Sequence, residues 1–183
     1  MTEPFVLPDP GGPLYFDIIA SPIGRLLLTG SDNALTGLYM MEAPGGLPAG
    51  APSPQTIRDP AAFTKTKAQL GAYFDGELTS FDVPLAPAGK PFQLAVWSAL
   101  THIPYGTTTS YGAIARQLGK SLAASRAVGA ANGQNPIAVI IPCHRVIGAD
   151  GGLTGYGGGL DRKEWLLRLE GATAMAVKDA TLW

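Results

Sequence analysis

Cysteine is nearly absent from this chain. Cys143 is the single one among 183 residues, and it is joined by only two histidines. One thiol cannot close an internal disulfide. One cysteine and two histidines cannot fill a closed four-ligand zinc site without carboxylates, so no metal centre is expected. No run of 18 apolar residues occurs, which removes any candidate membrane-spanning helix. The opening MTEPFVLPDPGG lacks a basic segment followed by an apolar one, so no secretory signal is expected and the cytoplasm is the expected compartment. The net charge is −1, which offers a polyanion no attraction at whole-chain level. Apolar residues make up 46% and charged ones 15%, enough for a packed core and unlike a disordered chain.

The charge is unevenly placed. Residues 1–89 hold four basic and nine acidic side chains, whereas 90–171 hold eight basic and four acidic ones. That asymmetry predicts two functional halves; with 86–90 read as the linker, the expected domains are 1–88 and 89–183. In the first half, Leu14, Phe16 and Ile18 alternate, and short turns at Ser21–Gly24 and Ser31-Asp32-Asn33 separate two further extended runs. This predicts an antiparallel meander. Residues 43–60 carry no period and read as a loop. Asp59-Pro60 opens a helix to about Tyr73, with Asp as N-cap and Pro at the first helical position. Phe81–Leu85 reads as a short strand, and 86–90 as a linker.

The second half reads as mainly helical. Phe92, Val96 and Leu100 have helical spacing. Ser110 is placed to cap a helix ending at Gly119, and Ser121 to cap another ending near Asn132-Gly133. Together they form a helix-turn-helix pattern. Ile137–Ile141 reads as a buried extended segment, and 148–159, rich in glycine, as a loop. A last helix runs from Asp161 to about Glu170.

Cys143 lies between Pro142 and His144, at the end of that apolar segment. His144 and Arg145 put potential positive charge beside the thiol, which favours the nucleophilic thiolate. An inert buried cysteine is the plain alternative. A cysteine-protease arrangement fits poorly, because the distant histidine it needs could only be His102. The glycine loop lacks the Gly-Lys-Ser/Thr ending of a phosphate-binding loop.

Asn135-Pro136, followed by Ile140-Ile141-Pro142-Cys143-His144-Arg145-Val146, resembles the active-site signature of the O6-alkylguanine-DNA alkyltransferases. Further segments are similar and in the same order: Phe92-Gln93, Val96-Trp97, Ile103-Pro104-Tyr105-Gly106, Ser110-Tyr111, Arg126-Ala127-Val128-Gly129, Thr154–Gly159 and Lys163–Leu167 through Glu170-Gly171. The resemblance covers 90–171 well and the first half more loosely, through Ser21–Gly24 and Tyr73–Leu78.

The resemblance implies a ribonuclease-H-like α/β first domain and a winged helix-turn-helix second domain. It implies direct-reversal DNA repair in which Cys143 accepts an alkyl group from O6-alkylguanine, and also from O4-alkylthymine, once per molecule and without a cofactor. His144 would take the thiol proton through a water, oriented by Glu170; the alternative carboxylate, Glu164, reads as solvated. Asn135 would brace the turn before the cysteine. Tyr111 would donate to guanine N3. The Cys143 and Val146 carbonyls would accept from the guanine amino group. Tyr156 and Gly157 would wall the pocket, supported by Lys163. Arg126 would enter the duplex as the base flips out of the minor groove, with Gln93, Ser121 and Tyr111 also at the DNA. Asn132 and Ala138 depart from the larger apolar residue and the proline of some relatives, which leaves the range of accepted alkyl groups open. A monomer is expected, with cooperative assembly on DNA open. A non-catalytic sensor of alkylated DNA and a multiple-turnover thiol hydrolase are the alternatives. Relatives of the sensor type lack the cysteine.

Overall fold

The computed structural model describes residues 4–7, 12–44, 46–47 and 51–172. The terminal segments and part of the 43–60 loop lie outside the described residues. The first half is a four-stranded sheet with one helix. Strands β1 (Tyr15–Ile19), β2 (Leu26–Gly30) and β3 (Leu35–Met40) form the meander, each pair antiparallel. The turn at Gly24 takes a positive φ of 100°, which glycine adopts without steric cost. The sheet is mixed rather than purely antiparallel. A two-residue strand, β4 (Ile57–Arg58), joins the outer edge of β1 in parallel, giving the order β3-β2-β1-β4. It falls in the stretch read as loop, because two residues carry no detectable period.

The period of β1 predicts a strand but not its buried face. Tyr15 and Ile19 pack on the core and Asp17 between them is buried, while Phe16 and Ile18 stay half-exposed. Asp17 is tolerated there because Lys67 Nζ donates to it at 3.1 Å. Lys67 comes from α1 (Thr64–Phe74), which a short 3₁₀ turn precedes. As expected, Asp59 caps that turn, its side chain accepting from Ala61 N at 2.8 Å, with Pro60 first in the turn. Phe81–Leu85 is not a strand. Pro84 has no N–H to offer a ladder, so only a single bridge, Leu35 to Leu85, forms.

The second half packs α2 (Pro91–Thr101), α3 (Tyr111–Gln117), α4 (Ser125–Gly133) and α5 (Leu160–Leu169). Short strands β5 (Thr109–Ser110) and β6 (Val146–Ile147) pair in parallel. Ser110 caps α3, its Oγ accepting from Ala113 N at 3.2 Å. Ser121 makes no such bond, contrary to expectation; a 3₁₀ turn at Leu122–Ala124 comes between it and α4. The helix-turn-helix is α3 and α4, and Trp97 of α2 ties in by donating to Ala131 O at 2.8 Å. No helix among the described residues is long and apolar enough to cross a membrane.

The halves are joined at the place that matters. One buried cluster runs without a break from Ile23 to Leu166. The edge of β3 also continues into the second half: Leu38 N donates to Pro136 O at 2.8 Å, and Ala138 N to Leu38 O at 3.1 Å. That bridge anchors the segment leading to Cys143. The segment 137–141 is buried as expected but is not extended. It forms a tight turn, with Ile141 N donating to Ile137 O at 3.0 Å and Val139 at a φ of +71°. A β-branched residue there is strained, and the surrounding hydrogen bonds hold it in place.

Candidate active site

Asn135 organises the turn. Its Oδ1 accepts from Ile137 N at 3.0 Å, and its Nδ2 donates to Ile141 O at 2.8 Å and to Cys143 Sγ at 3.0 Å. The turn delivers Cys143, His144 and Arg145 as one 3₁₀ turn, all three buried. Cys143 opens onto a cavity of about 440 Å³. Its walls come from both halves: Leu38, Tyr39 and Met40 of β3 on one side, Asn132, Tyr156 and Gly157 on the other. Gly158 keeps that wall close, because a Cβ there would press on the Met40 sulfur and the Tyr156 ring and one of them would have to move.

His144 is completely buried, with Nε2 2.8 Å from Glu170 Oε1. This fixes the tautomer: Nε2 carries the proton toward the carboxylate and Nδ1 is left as the acceptor. Burial, reinforced by the Arg145 and Lys163 charges, holds the imidazole below its usual pKa despite the pull of Glu170. It is therefore a neutral base at physiological pH. Burial would raise the Glu170 carboxyl, but hydrogen bonds from His144 and Arg145 outweigh it and bring the pKa down to about 2.

Arg145 corrects the sequence reading. Its guanidinium does not serve the thiol. Nε and Nη2 donate to the two Glu170 oxygens at 2.8 and 2.9 Å, and Nη1 to Ile103 O at 2.6 Å. Burial pushes the Cys143 thiol up, offset only in part by the Asn135 hydrogen bond and the charge of Lys163. The resting sulfur is a protected thiol, so deprotonation needs a base at the moment of reaction. His144 Nδ1, Asn132 Oδ1 and Tyr156 Oη are buried atoms without a hydrogen-bond partner among the described residues. Three such atoms in and beside one cavity mark a site built to receive polar groups.

The other expected residues fall into three groups. Asn132 and Tyr156 line the cavity, with Asn132 Nδ2 donating to Cys143 O at 3.3 Å. Val146 and Lys163 are fully buried and do not line it. Lys163 Nζ instead holds the Val146 and Thr154 carbonyls at 2.7 and 2.8 Å, which anchors the glycine loop. Burial lowers its pKa to about 8. Arg126 and Ser121 are exposed on the helix-turn-helix, and Tyr111 is half-buried at the start of α3, its hydroxyl 3.5 Å from Thr154 O. Gln93 is engaged within the protein, accepting from Lys90 N and donating to Gln134 Oε1. Glu164 pairs with Arg168 at the surface, away from the site.

Sequence reasoning missed one member altogether. Tyr73, on α1, donates to Glu170 Oε1 at 2.6 Å across 97 residues of chain. No local pattern announces such a contact.

Comparison with known proteins agrees over both halves of the chain. Residues 14–87 match the family model for the 6-O-methylguanine DNA methyltransferase ribonuclease-like domain, and 91–172 match that for its DNA binding domain. A methylated-DNA–protein-cysteine methyltransferase of Mycobacterium bovis is 53% identical over 171 residues, covering 93% of this chain and 99% of that protein. The crystal structure of the Mycobacterium tuberculosis O6-methylguanine methyltransferase is 52% identical, covers 92% of this chain and 98% of its own, and superposes with a TM-score of 0.79. A structure of Mycobacterium tuberculosis OGT in complex with DNA is 54% identical over 86% of this chain and 92% of its own, also at 0.79. With both halves matched in order, the chain belongs to the 6-O-methylguanine DNA methyltransferase family.

Proposed function

We propose that this protein repairs alkylated DNA by direct reversal, moving one alkyl group from O6-alkylguanine, and also from O4-alkylthymine, to Cys143. The observation that carries this reading is a lone thiol, clamped by Asn135 at a cavity, beside a buried His144–Glu170 pair. His144 takes the thiol proton. The sulfur attacks the alkyl carbon, the C–O6 bond breaks, and the electron pair stays on the base. The Tyr111 hydroxyl supplies a proton to guanine N3 as the base leaves, and the product is a thioether. Nothing regenerates the thiol, so each molecule acts once and needs no cofactor.

The partner is double-stranded DNA, approached from the minor groove by α3 and α4. The target base must leave the stack, because O6 is out of a nucleophile's reach within it. Arg126, exposed on α4, takes the vacated place. The cavity receives the base against Tyr156 and Gly157, with Asn132 toward the alkyl group and the Cys143 carbonyl toward the amino group; the Val146 carbonyl expected beside it is held by Lys163 outside the cavity wall. The working units are residues 1–88 and 89–183, acting as a monomer in the cytoplasm, with cooperative assembly on DNA as an added property to measure.

Intact mass after mixing with an O6-methylguanine duplex tests the reading. One methyl adduct, mapped to Cys143 and absent from Cys143→Ser, is expected. An unchanged wild-type mass overturns it, and repeated turnover of a benzylguanine substrate would point to a hydrolase.

A further inference from the structure

The Tyr73 hydroxyl has no part in the chemistry described so far, yet it is fully buried against the reacting groups. It donates to Glu170 Oε1 at 2.6 Å; that same oxygen lies 2.8 Å from His144 Nε2 and accepts from Arg145 Nη2 at 2.9 Å. The ring is fixed by Phe74, Phe81 and Tyr105, with centroids 5.5, 5.2 and 6.1 Å away. Burial and then the Glu170 charge push the phenol's ionisation far upward, so it stays a proton donor across the working pH range.

We propose that Tyr73 is a positioning residue for alkyl transfer. Its O–H, supplied by the first half of the chain, sets how strongly Glu170 draws on the His144 N–H, and so how readily His144 takes the Cys143 proton. The inference deepens the repair reading and rests on it. A carboxylate oxygen shared among three donors gives less to each. The remaining groups around the pair are fixed by other bonds. Arg145 grips both carboxylate oxygens, Gly106 N donates to Oε2 at 3.2 Å, Tyr105 donates to Leu169 O, and Lys163 is committed to two carbonyls. The phenol is thus the single neutral side-chain donor among the described residues that competes with His144 for Oε1.

Tyr73→Phe keeps the ring and deletes the donor. Methyl transfer from an O6-methylguanine duplex is measured against pH, in parallel with alkylation of Cys143 by iodoacetamide. Freed of its competitor, Glu170 stabilises the imidazolium more. The acidic limb of both profiles is expected to move up by about half a pH unit, a roughly threefold loss on that limb, with duplex affinity unchanged. 3-Fluorotyrosine at position 73, a stronger donor of similar shape, is expected to move the limb down, and it decides the matter if Tyr73→Phe does not fold. A lowered melting temperature with unmoved limbs assigns Tyr73 to packing alone and overturns the proposal. A wild-type protein that takes no methyl from the duplex fells the repair reading instead, and the iodoacetamide limb still decides for or against Tyr73.

Discussion

Asn135 is the residue on which the local geometry turns. It holds a backbone N–H, a backbone carbonyl and the Cys143 sulfur with one short side chain. Asn135→Ala strips these partners at the half-buried cavity wall, where solvent offsets part of the roughly 1–3 kcal/mol that a fully buried stranded group costs. A fall in stability of about 2 kcal/mol by denaturant titration is expected, with slower labelling of Cys143 by iodoacetamide. An unchanged midpoint would mean that the strained Val139 turn stands without its clamp. At this scale the sequence was read well where chemistry is local. Pro142-Cys143-His144-Arg145 marked the nucleophile, and the resemblance it carries implied His144 as base and Glu170 as its partner. It was read poorly where a side chain's direction decides. Arg145 sits two residues from the thiol yet turns to Glu170, and Tyr73 reaches the same carboxylate from another element.

Among the elements, the helix-turn-helix carries the clearest functional expectation. Arg126 stands exposed on α4, while Val128 and Ala131 bury the other side of that helix. Arg126→Ala is expected to slow reaction with an alkylated duplex by about tenfold, equivalent to ~1.4 kcal/mol, and to leave reaction with free benzylguanine nearly unchanged. Equal losses on both substrates would remove Arg126 from base flipping. The helices were legible because caps and apolar spacing are local signals: Ser110 and Asp59 cap where expected. Extended segments were less so. Strands β4 and β6 have two residues each, and the apolar run 137–141 reads as extended although it turns. Its conformation is dictated by an asparagine side chain and by the β3 edge, which no window of sequence contains.

For the whole molecule, the buried acid–base pair links function to stability. The folded state depresses both pKa values, so in both cases the unfolded chain binds more protons. The contribution is therefore present at neutral pH and lost in acid. Loss begins as pH falls below the ordinary histidine value of 6.5 and deepens between 4.5 and about 2, where Glu170 titrates. A carboxyl shifted over that span contributes on the order of 3 kcal/mol. Chemical denaturation between pH 8 and 3 should show this decline, and Glu170→Gln should flatten its lower part. A wild-type curve that is flat below pH 5 would contradict the buried pair. The division into an acidic and a basic half was legible from charge counting, but the shared core was not, because composition cannot report which apolar residues meet.

The bridge between β3 and residues 136–138 has a consequence for the chain while it is being made. The free edge of a sheet invites pairing with other chains, and here the segment that covers it lies about a hundred residues downstream of β3. During synthesis the first half emerges with that edge covered at Leu35 by residues 84–86 but bare at Leu38, the stretch that the later segment covers. The strip of backbone that shields a nascent molecule from its neighbours is therefore the same strip that seats the reactive sulfur. Completion of the nucleophile and closure of the last open stretch of that edge are one event.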